Sequence, residues 1–275
     1  MMMDAKLQRR IQRYGWDKAA PFYERYWQEQ LVPARARVFA LADLRQGERV
    51  LDVACGTGLV TFPAAAAVGP DGGVTAVDIS DAMVSTVAAE AERRGLRHVT
   101  AARMDAEHLR ASDGSFDVVL CALGLMYVPD PLGALREFHR VLAPRGRMVA
   151  AVWGTRKNCG WADIFPIVDA RVQSEVCPMF FQLGTGERLH QLADEAGFSG
   201  VRSERIAATL RYASADDALG AAFAGGPVAA AYFRFDDRVR LEAHGEYLAT
   251  IEPFRTGTAY EIPGEFVVTG GRRPA

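Results

Sequence analysis

LDVACGTGLV, residues 51–60, is the stretch on which the fold turns. It reads as a short apolar strand carrying Asp52, then Gly56 and Gly58 two positions apart, then the opening of a helix. Glycines at such a turn let the backbone bend sharply and approach a ligand closely, and the helix start presents free N–H groups. The full dinucleotide pattern G-x-G-x-x-G is broken, because position 61 is threonine.

Downstream the same rhythm repeats. RVLDVA (49–54), VTAVDIS (74–80), HVTAARMD (98–105), FDVVLCALG (116–124) and GRMVAAVWG (146–154) are short and nearly continuous in apolar character, as strands buried on both faces must be. Between them lie amphipathic helical stretches, clearest where Leu132, Leu135, Phe138 and Leu142 recur three or four positions apart. Strand and helix are therefore expected to alternate five times, giving a Rossmann-like, doubly wound α/β sheet whose ligand binds at the carboxyl ends of the strands.

Upstream, residues 1–45 read as helices. Tyr14, Phe22, Tyr23, Tyr26 and Trp27 form an aromatic stripe, and Pro33 opens a second helix with Val38 and Leu41 inward. Beyond Trp153 the rhythm breaks, and residues 155–200 and 214–260 read as a helical cap around a strand at 201–213; PMFFQLG (178–184) belongs to it, and a helix from Glu187 to Ala196 stops at Gly197. EFVVTGG (265–271) reads as a closing strand, expected at a sheet edge within 262–272. With no repeat or low-complexity linker, residues 1–275 are expected to form a single domain, with 46–154 as its ligand-binding core.

Composition narrows the partners. Among 275 residues, 32 basic and 34 acidic side chains leave a net charge of −2, with the basic residues scattered, so no nucleic-acid footprint is present. No apolar run approaches the ~20 residues of a membrane span and MMMDAKLQRR is no leader, which predicts a cytoplasmic protein. Cys55, Cys121, Cys159 and Cys177 lack metal or disulfide spacing, and the five histidines are dispersed, so no metal is expected.

A second polar signal is Asp78, twenty positions after Gly58 at the end of the second strand, where a carboxylate can accept hydrogen bonds from ribose hydroxyls. The same residue can equally serve as a negative charge beside Ser80 at a helix start.

In order and spacing, LDVACGTG, VDIS with Met83 following, RMDAEHL, FDVVLCALGLMYVPDP and EFHRVLAPRGRMV resemble the class I S-adenosylmethionine-dependent methyltransferases, closest to the ubiquinone/menaquinone-biosynthesis group. The resemblance covers residues 14–155 strongly and the rest loosely. It implies a seven-stranded sheet, mostly parallel with a reversed last strand, and S-adenosylmethionine as cofactor with S-adenosylhomocysteine as product. It also implies that Gly56 and Gly58 face the amino-acid moiety, that Asp52 orders the loop and that Asp78 holds the ribose. Ile79 and Met83 would flank the adenine, with Asp105 and Ala106 at its amino edge and Leu123 beneath the sulfonium. Tyr23, beside Trp16, would belong to a lid helix, although helix packing on the sheet explains these aromatics equally.

Methyl transfer needs a base only when the acceptor must lose a proton. Tyr127 is best placed for that role, with a plain pocket wall as the other reading. His139 is expected on an exposed helix flank and is rejected; His190 and His244 read as surface histidines. Tyr127, Phe180, Phe181 and Phe223, with Met179 nearby, suggest a greasy pocket for a hydrophobic aromatic or quinone-like small molecule methylated on oxygen or carbon. Thiol, amine or metalloid methylation, a non-catalytic cofactor-binding module and a NAD-dependent oxidoreductase are the competing readings. Oligomeric state, including a homodimer, is left open.

Overall fold

A computed structural model describes residues 5–172 and 180–275, so Cys177 and Met179 lie outside the described residues. The strands are β1 (Arg49–Val53), β2 (Gly73–Asp78), β3 (Val99–Arg103), β4 (Phe116–Ala122), β5 (Leu142–Trp153), β6 (Ser199–Tyr212), β7 (Arg255–Thr256) and β8 (Ala259–Arg272). The helices are α1 (Ala5–Trp27), α2 (Val32–Ala42), α3 (Thr61–Val68), α4 (Asp81–Arg93), α5 (Pro131–Val141), α6 (Ile164–Asp169), α7 (Arg188–Glu195), α8 (Ala215–Leu219), α9 (Ala229–Tyr232) and α10 (Asp237–Ile251).

The sheet runs β3-β2-β1-β4-β5-β8-β6, with the two-residue β7 paired only to β8. β1 to β5 are parallel, and β8 lies antiparallel to both of its neighbours. The chain thus builds β2 and β3 on one side of β1, then returns to lay β4 on the other. That reversal opens the crevice beyond the carboxyl ends of β1 and β4, where ligands of such sheets bind.

The core explains the continuous apolar runs. Leu51, Val53, Val118, Val119, Leu120 and Met148 to Val152 are at most 1% exposed, and each fully buried aliphatic side chain contributes roughly 1.5–3 kcal/mol. At the cap side, Trp27, Trp153 and Trp161 meet edge to face, and Trp153 lies against Phe266 with ring centroids 4.3 Å apart.

Three expectations are corrected. EFVVTGG is not at an edge: it is the inner part of β8, between β5 and β6, and Phe266 to Thr269 are buried. Its unbroken Phe-Val-Val run is what a strand covered on both faces needs, whereas β6, rich in charge and half-exposed, is the edge. No helix joins β3 to β4; residues 104–115 form a loop, in keeping with the polar, turn-forming sequence EHLRASDG. Tyr14 is 52% exposed and stands apart from the buried face of α1, under the Arg13 guanidinium.

The N-terminal helix is wedged between the sheet layer and the cap. It packs against α4 on one side and against α9 and the π-helical turn at Gly220–Ala224 on the other. Phe22 stacks on Phe233 with centroids 5.8 Å apart.

Candidate functional site

The glycine loop takes its shape from one very tight contact. Gly58 has φ +97°, and a Cβ there would lie 2.4 Å from the Phe62 ring, so only glycine fits beneath α3. Asp52 reaches forward from β1 to accept a 2.6 Å hydrogen bond from the Thr61 hydroxyl at the start of α3. Burial pushes its carboxyl up to about 7.

Asp78, at the end of β2, accepts hydrogen bonds from Gly56 N–H (3.0 Å) and Ser80 N–H (2.9 Å). Burial raises its carboxyl to about 6, while the backbone donors hold it lower than burial alone would. The acid therefore organises both loops at once and still lines the cavity.

The cavity lies over the crevice as a cleft of about 730 Å³ that opens to solvent. Gly56, Asp78, Ile79 and Met83 border it from the first two loops, Asp105, Ala106 and Leu123 from the loops after β3 and β4. Trp16, Tyr23 and Tyr127 complete the wall. Asp52 and Gly58 do not border it; they act from behind, holding α3 and the loop. Leu123 sits at φ +66°, a conformation an ordinary side chain rarely adopts, and its N–H is fixed to Ala151 C=O at 2.8 Å.

Several lining residues were not legible in the sequence. Arg9 of α1 places Nε 2.7 Å from Glu107 and 3.0 Å from Asp105, tying the first helix to the β3–β4 loop. Gln12, Met104, Gly124, Val128 and Pro129 also line the cavity. Gly124 is there because a Cβ would come within 2.2 Å of the Ala54 Cβ. Of these, Met104, Gly124, Val128 and Pro129 fall within the motif stretches, whereas Arg9 and Gln12 carry no sequence signal.

A second, smaller cavity of about 320 Å³ adjoins the first. The two share Trp16, Tyr23, Leu123 and Tyr127. Trp27, Leu31, Met126, Trp153 and Phe180 form its far side. Tyr127 makes edge contacts with Trp16 (5.1 Å) and Phe180 (5.4 Å). Burial together with the nearby Asp78 raises the Tyr23 hydroxyl well above the ordinary tyrosine range.

Other expected pocket residues sit elsewhere. Phe181 packs behind Phe180 on Trp161 and Phe165. Phe223 is buried among Tyr232, His244 and Tyr247 and borders neither cavity. His139 is not on an exposed flank: it is half-buried edge-on against Phe198, and burial lowers its pKa. His190 lies 3.3 Å from Asp194, and His244 lies 3.2 Å from the Tyr232 hydroxyl. Among the described residues no cluster of metal-ligating side chains is present, and no helix is long and apolar enough to cross a membrane.

Comparison with known proteins agrees with this architecture. Residues 50–146 match the family described as Methyltransferase domain. The chain is 34% identical over 147 residues to aklanonic acid methyltransferase DauC of Streptomyces sp. strain C5, covering 54% of this chain and 66% of that one. It is 39% identical over 133 residues to nocamycin O-methyltransferase of Saccharothrix syringae, covering 48% of each. Both matches thus span less than two-thirds of the relative's length. It is 41% identical over 192 residues to demethylmenaquinone methyltransferase of Staphylococcus aureus, covering 63% of this chain and 77% of that one. In fold it is similar to Haemonchus contortus phosphoethanolamine N-methyltransferase 2 in complex with S-adenosyl-L-methionine, with a TM-score of 0.63 at 15% identity, over 94% of this chain and 57% of that one.

Proposed function

The chain belongs to the class I S-adenosylmethionine-dependent methyltransferases of the quinone-biosynthesis type, and from that premise we propose that it methylates an oxygen or carbon of a hydrophobic, aromatic or quinone-like small molecule. The observation that carries this reading is the pair of adjoining cavities that share Trp16, Tyr23, Leu123 and Tyr127. One chamber takes the cofactor, the other the methyl acceptor, and the reacting atoms meet at the shared wall.

The residues of the larger chamber fit the cofactor. Asp78 still has lone pairs free to accept from ribose hydroxyls, and Ile79, Met83 and Met104 offer an apolar bed for the base. Arg9 holds the Asp105 carboxylate at the adenine edge.

When bound, S-adenosylmethionine supplies an electrophilic methyl group on a sulfonium. The protein's work is then alignment and exclusion of water, and well-oriented reactants are worth roughly 7–11 kcal/mol. Trp16 and Tyr23 close the chamber from α1, and Leu123 fixes the floor. Tyr127 stands at the junction, where its ring positions the acceptor and its oxygen, in the ionised form, can take the proton of a phenolic acceptor. No metal and no nucleic acid has a part in this scheme, which suits a small-molecule enzyme of the cytoplasm.

Thermal-shift titration tests the reading. S-adenosylmethionine and S-adenosylhomocysteine are expected to raise the Tm and NADH to leave it unchanged; stabilisation by NADH alone would overturn the proposal.

A further inference from the structure

The chain carries a net charge of −2, yet its charge is unevenly placed. Residues 5–16, the opening turns of α1, hold Lys6, Arg9, Arg10 and Arg13 and no acid. The first acid after them, Asp17, is engaged by the Ser80 hydroxyl and Ala82 N–H. Arg9, Arg10 and Arg13 line an open groove together with Arg103 of β3 and Arg110 of the loop after it, and among the described residues Asp105 is the one acid on its wall. Arg9 is paired with Asp105 and Glu107, and Arg103 with Asp81. Among the described residues Arg10, Arg13 and Arg110 have no carboxylate partner; Arg110 donates to Arg103 C=O at 2.7 Å. Three uncompensated guanidiniums are thus gathered in one groove, which marks it for an anionic partner.

The exposed face of the same helix is not only cationic. Leu7 is 37% exposed and Tyr14 52%, two of the four large apolar side chains that stand out in solvent among the described residues. At positions 7, 10 and 14 they flank the exposed Arg10 on one stripe, with the exposed Lys6 and Lys18 nearby. A small soluble anion or a nucleic acid would use the arginines and leave Leu7 and Tyr14 in water. A lipid surface takes both, with guanidiniums among the phosphates and the leucine and tyrosine side chains at the acyl boundary.

We propose that the outer face of α1, with the arginine groove beside it, docks the protein on an anionic lipid bilayer. The helix needs no refolding to do so, because its other faces are already packed on α4 and the cap. The groove shares Arg9, Ile79, Met104 and Asp105 with the larger cavity, so the docked face lies directly beside the cleft. The contact is peripheral, and it holds whichever acceptor the enzyme methylates.

The test is co-sedimentation of the whole chain with vesicles of phosphatidylcholine, either pure or containing about a quarter phosphatidylglycerol. At ~0.1 M salt, partitioning onto the anionic vesicles is expected to exceed that onto neutral ones about tenfold, and at ~1 M salt to fall to the neutral level. Arg10→Glu/Arg110→Glu, which reverses two exposed charges, should lower it about tenfold. Leu7→Ser/Tyr14→Ser should lower it about threefold. Both variants should keep the wild-type Tm. Equal partitioning of the wild-type chain onto neutral and anionic vesicles, or full binding by Arg10→Glu/Arg110→Glu, would overturn the docking face. Full binding by Leu7→Ser/Tyr14→Ser would overturn the lipid surface as the partner and leave a groove for soluble anions. The wild-type comparison and its salt dependence decide even where a variant does not fold.

Discussion

Asp17, midway along α1, accepts a 2.6 Å hydrogen bond through Oδ1 from the Ser80 hydroxyl, the same hydroxyl that caps α4 by accepting from Met83 N–H. Asp17 also accepts from Ala82 N–H at 3.2 Å. A residue of the lid helix is thereby fixed to the loop that follows Asp78. Arg9, two turns earlier, makes the second attachment through Asp105 and Glu107. The first helix is held at both the β2 and the β3 loops that border the cavity.

Removing the first attachment should loosen the lid without unfolding the sheet. Asp17→Ala is expected to destabilise the docked helix by about 1.5–3 kcal/mol, the range for a hydrogen bond to a charged group. Cofactor affinity should fall about tenfold. Limited trypsin digestion should cut faster at Arg9, Arg10 and Arg13. Unchanged digestion and affinity would show that α1 is held by packing alone.

Asp78 gives cofactor binding a pH dependence. The ionised carboxylate accepts from Gly56 and Ser80 N–H and, on the proposed reading, would accept from ribose hydroxyls, and its folded-state value is raised to about 6. Affinity measured by calorimetry should be flat above pH 7 and fall as pH drops through 6, by about tenfold per unit once the group is mostly protonated. Asp78→Ala should abolish binding. Full affinity in that variant would show that the ribose is held elsewhere.

Asp52 makes the opposite kind of prediction, one about stability. Its folded carboxyl is raised to about 7, whereas an unfolded aspartate titrates near 4. The folded chain therefore holds the extra proton between those values, and stability falls as pH rises across that window. Asp52→Asn keeps an oxygen for the Thr61 hydroxyl and removes the buried charge. Its Tm should match wild type near pH 4 and exceed it at pH 8 by an amount worth about 4 kcal/mol. A variant less stable than wild type at pH 8 would contradict this.

Much of this site was legible because its determinants are local. The glycine loop, the acid ending β2 and the strand rhythm each lie within a few residues, so spacing alone located them. Tyr23 and Trp16 stood out as aromatics at helical spacing, but whether they faced a cavity or the core was decided by the cap. What stayed hidden depends on contacts between distant segments. Arg9 meets Glu107 across 98 positions and Asp17 meets Ser80 across 63, and neither pairing has a sequence signature. The place of β8 between β5 and β6 is likewise a matter of neighbour order, which hydropathy does not encode. Phe223 illustrates the reverse error: an aromatic in a cap is as readily a brace, here against Tyr247 and His244, as a pocket wall.

Gly124 should tolerate no side chain. A Cβ would overlap that of Ala54 at 2.2 Å, in the position where the loops after β1 and β4 touch. Gly124→Ala should lower stability by about 2–3 kcal/mol, as overpacking does, and should weaken cofactor binding by moving Leu123. A thermal melt matching wild type would mean that the loops yield freely.

Tyr127→Phe separates its two proposed roles. Cofactor affinity should stay within about twofold, since the ring contacts with Trp16 and Phe180 survive. A fall in kcat with a phenolic acceptor, strongest at low pH and with KM unchanged, marks proton transfer; an unchanged kcat marks a wall.

The most direct test of methyl transfer is incubation with S-adenosylmethionine bearing a labelled methyl group and pools of phenols, quinols, amines and thiols, read by mass spectrometry. The expected result is S-adenosylhomocysteine together with an aromatic or quinone-like product heavier by one labelled methyl. Tight cofactor binding with no labelled product from any pool, and no S-adenosylhomocysteine formed, would contradict the assignment of the smaller chamber to a methyl acceptor.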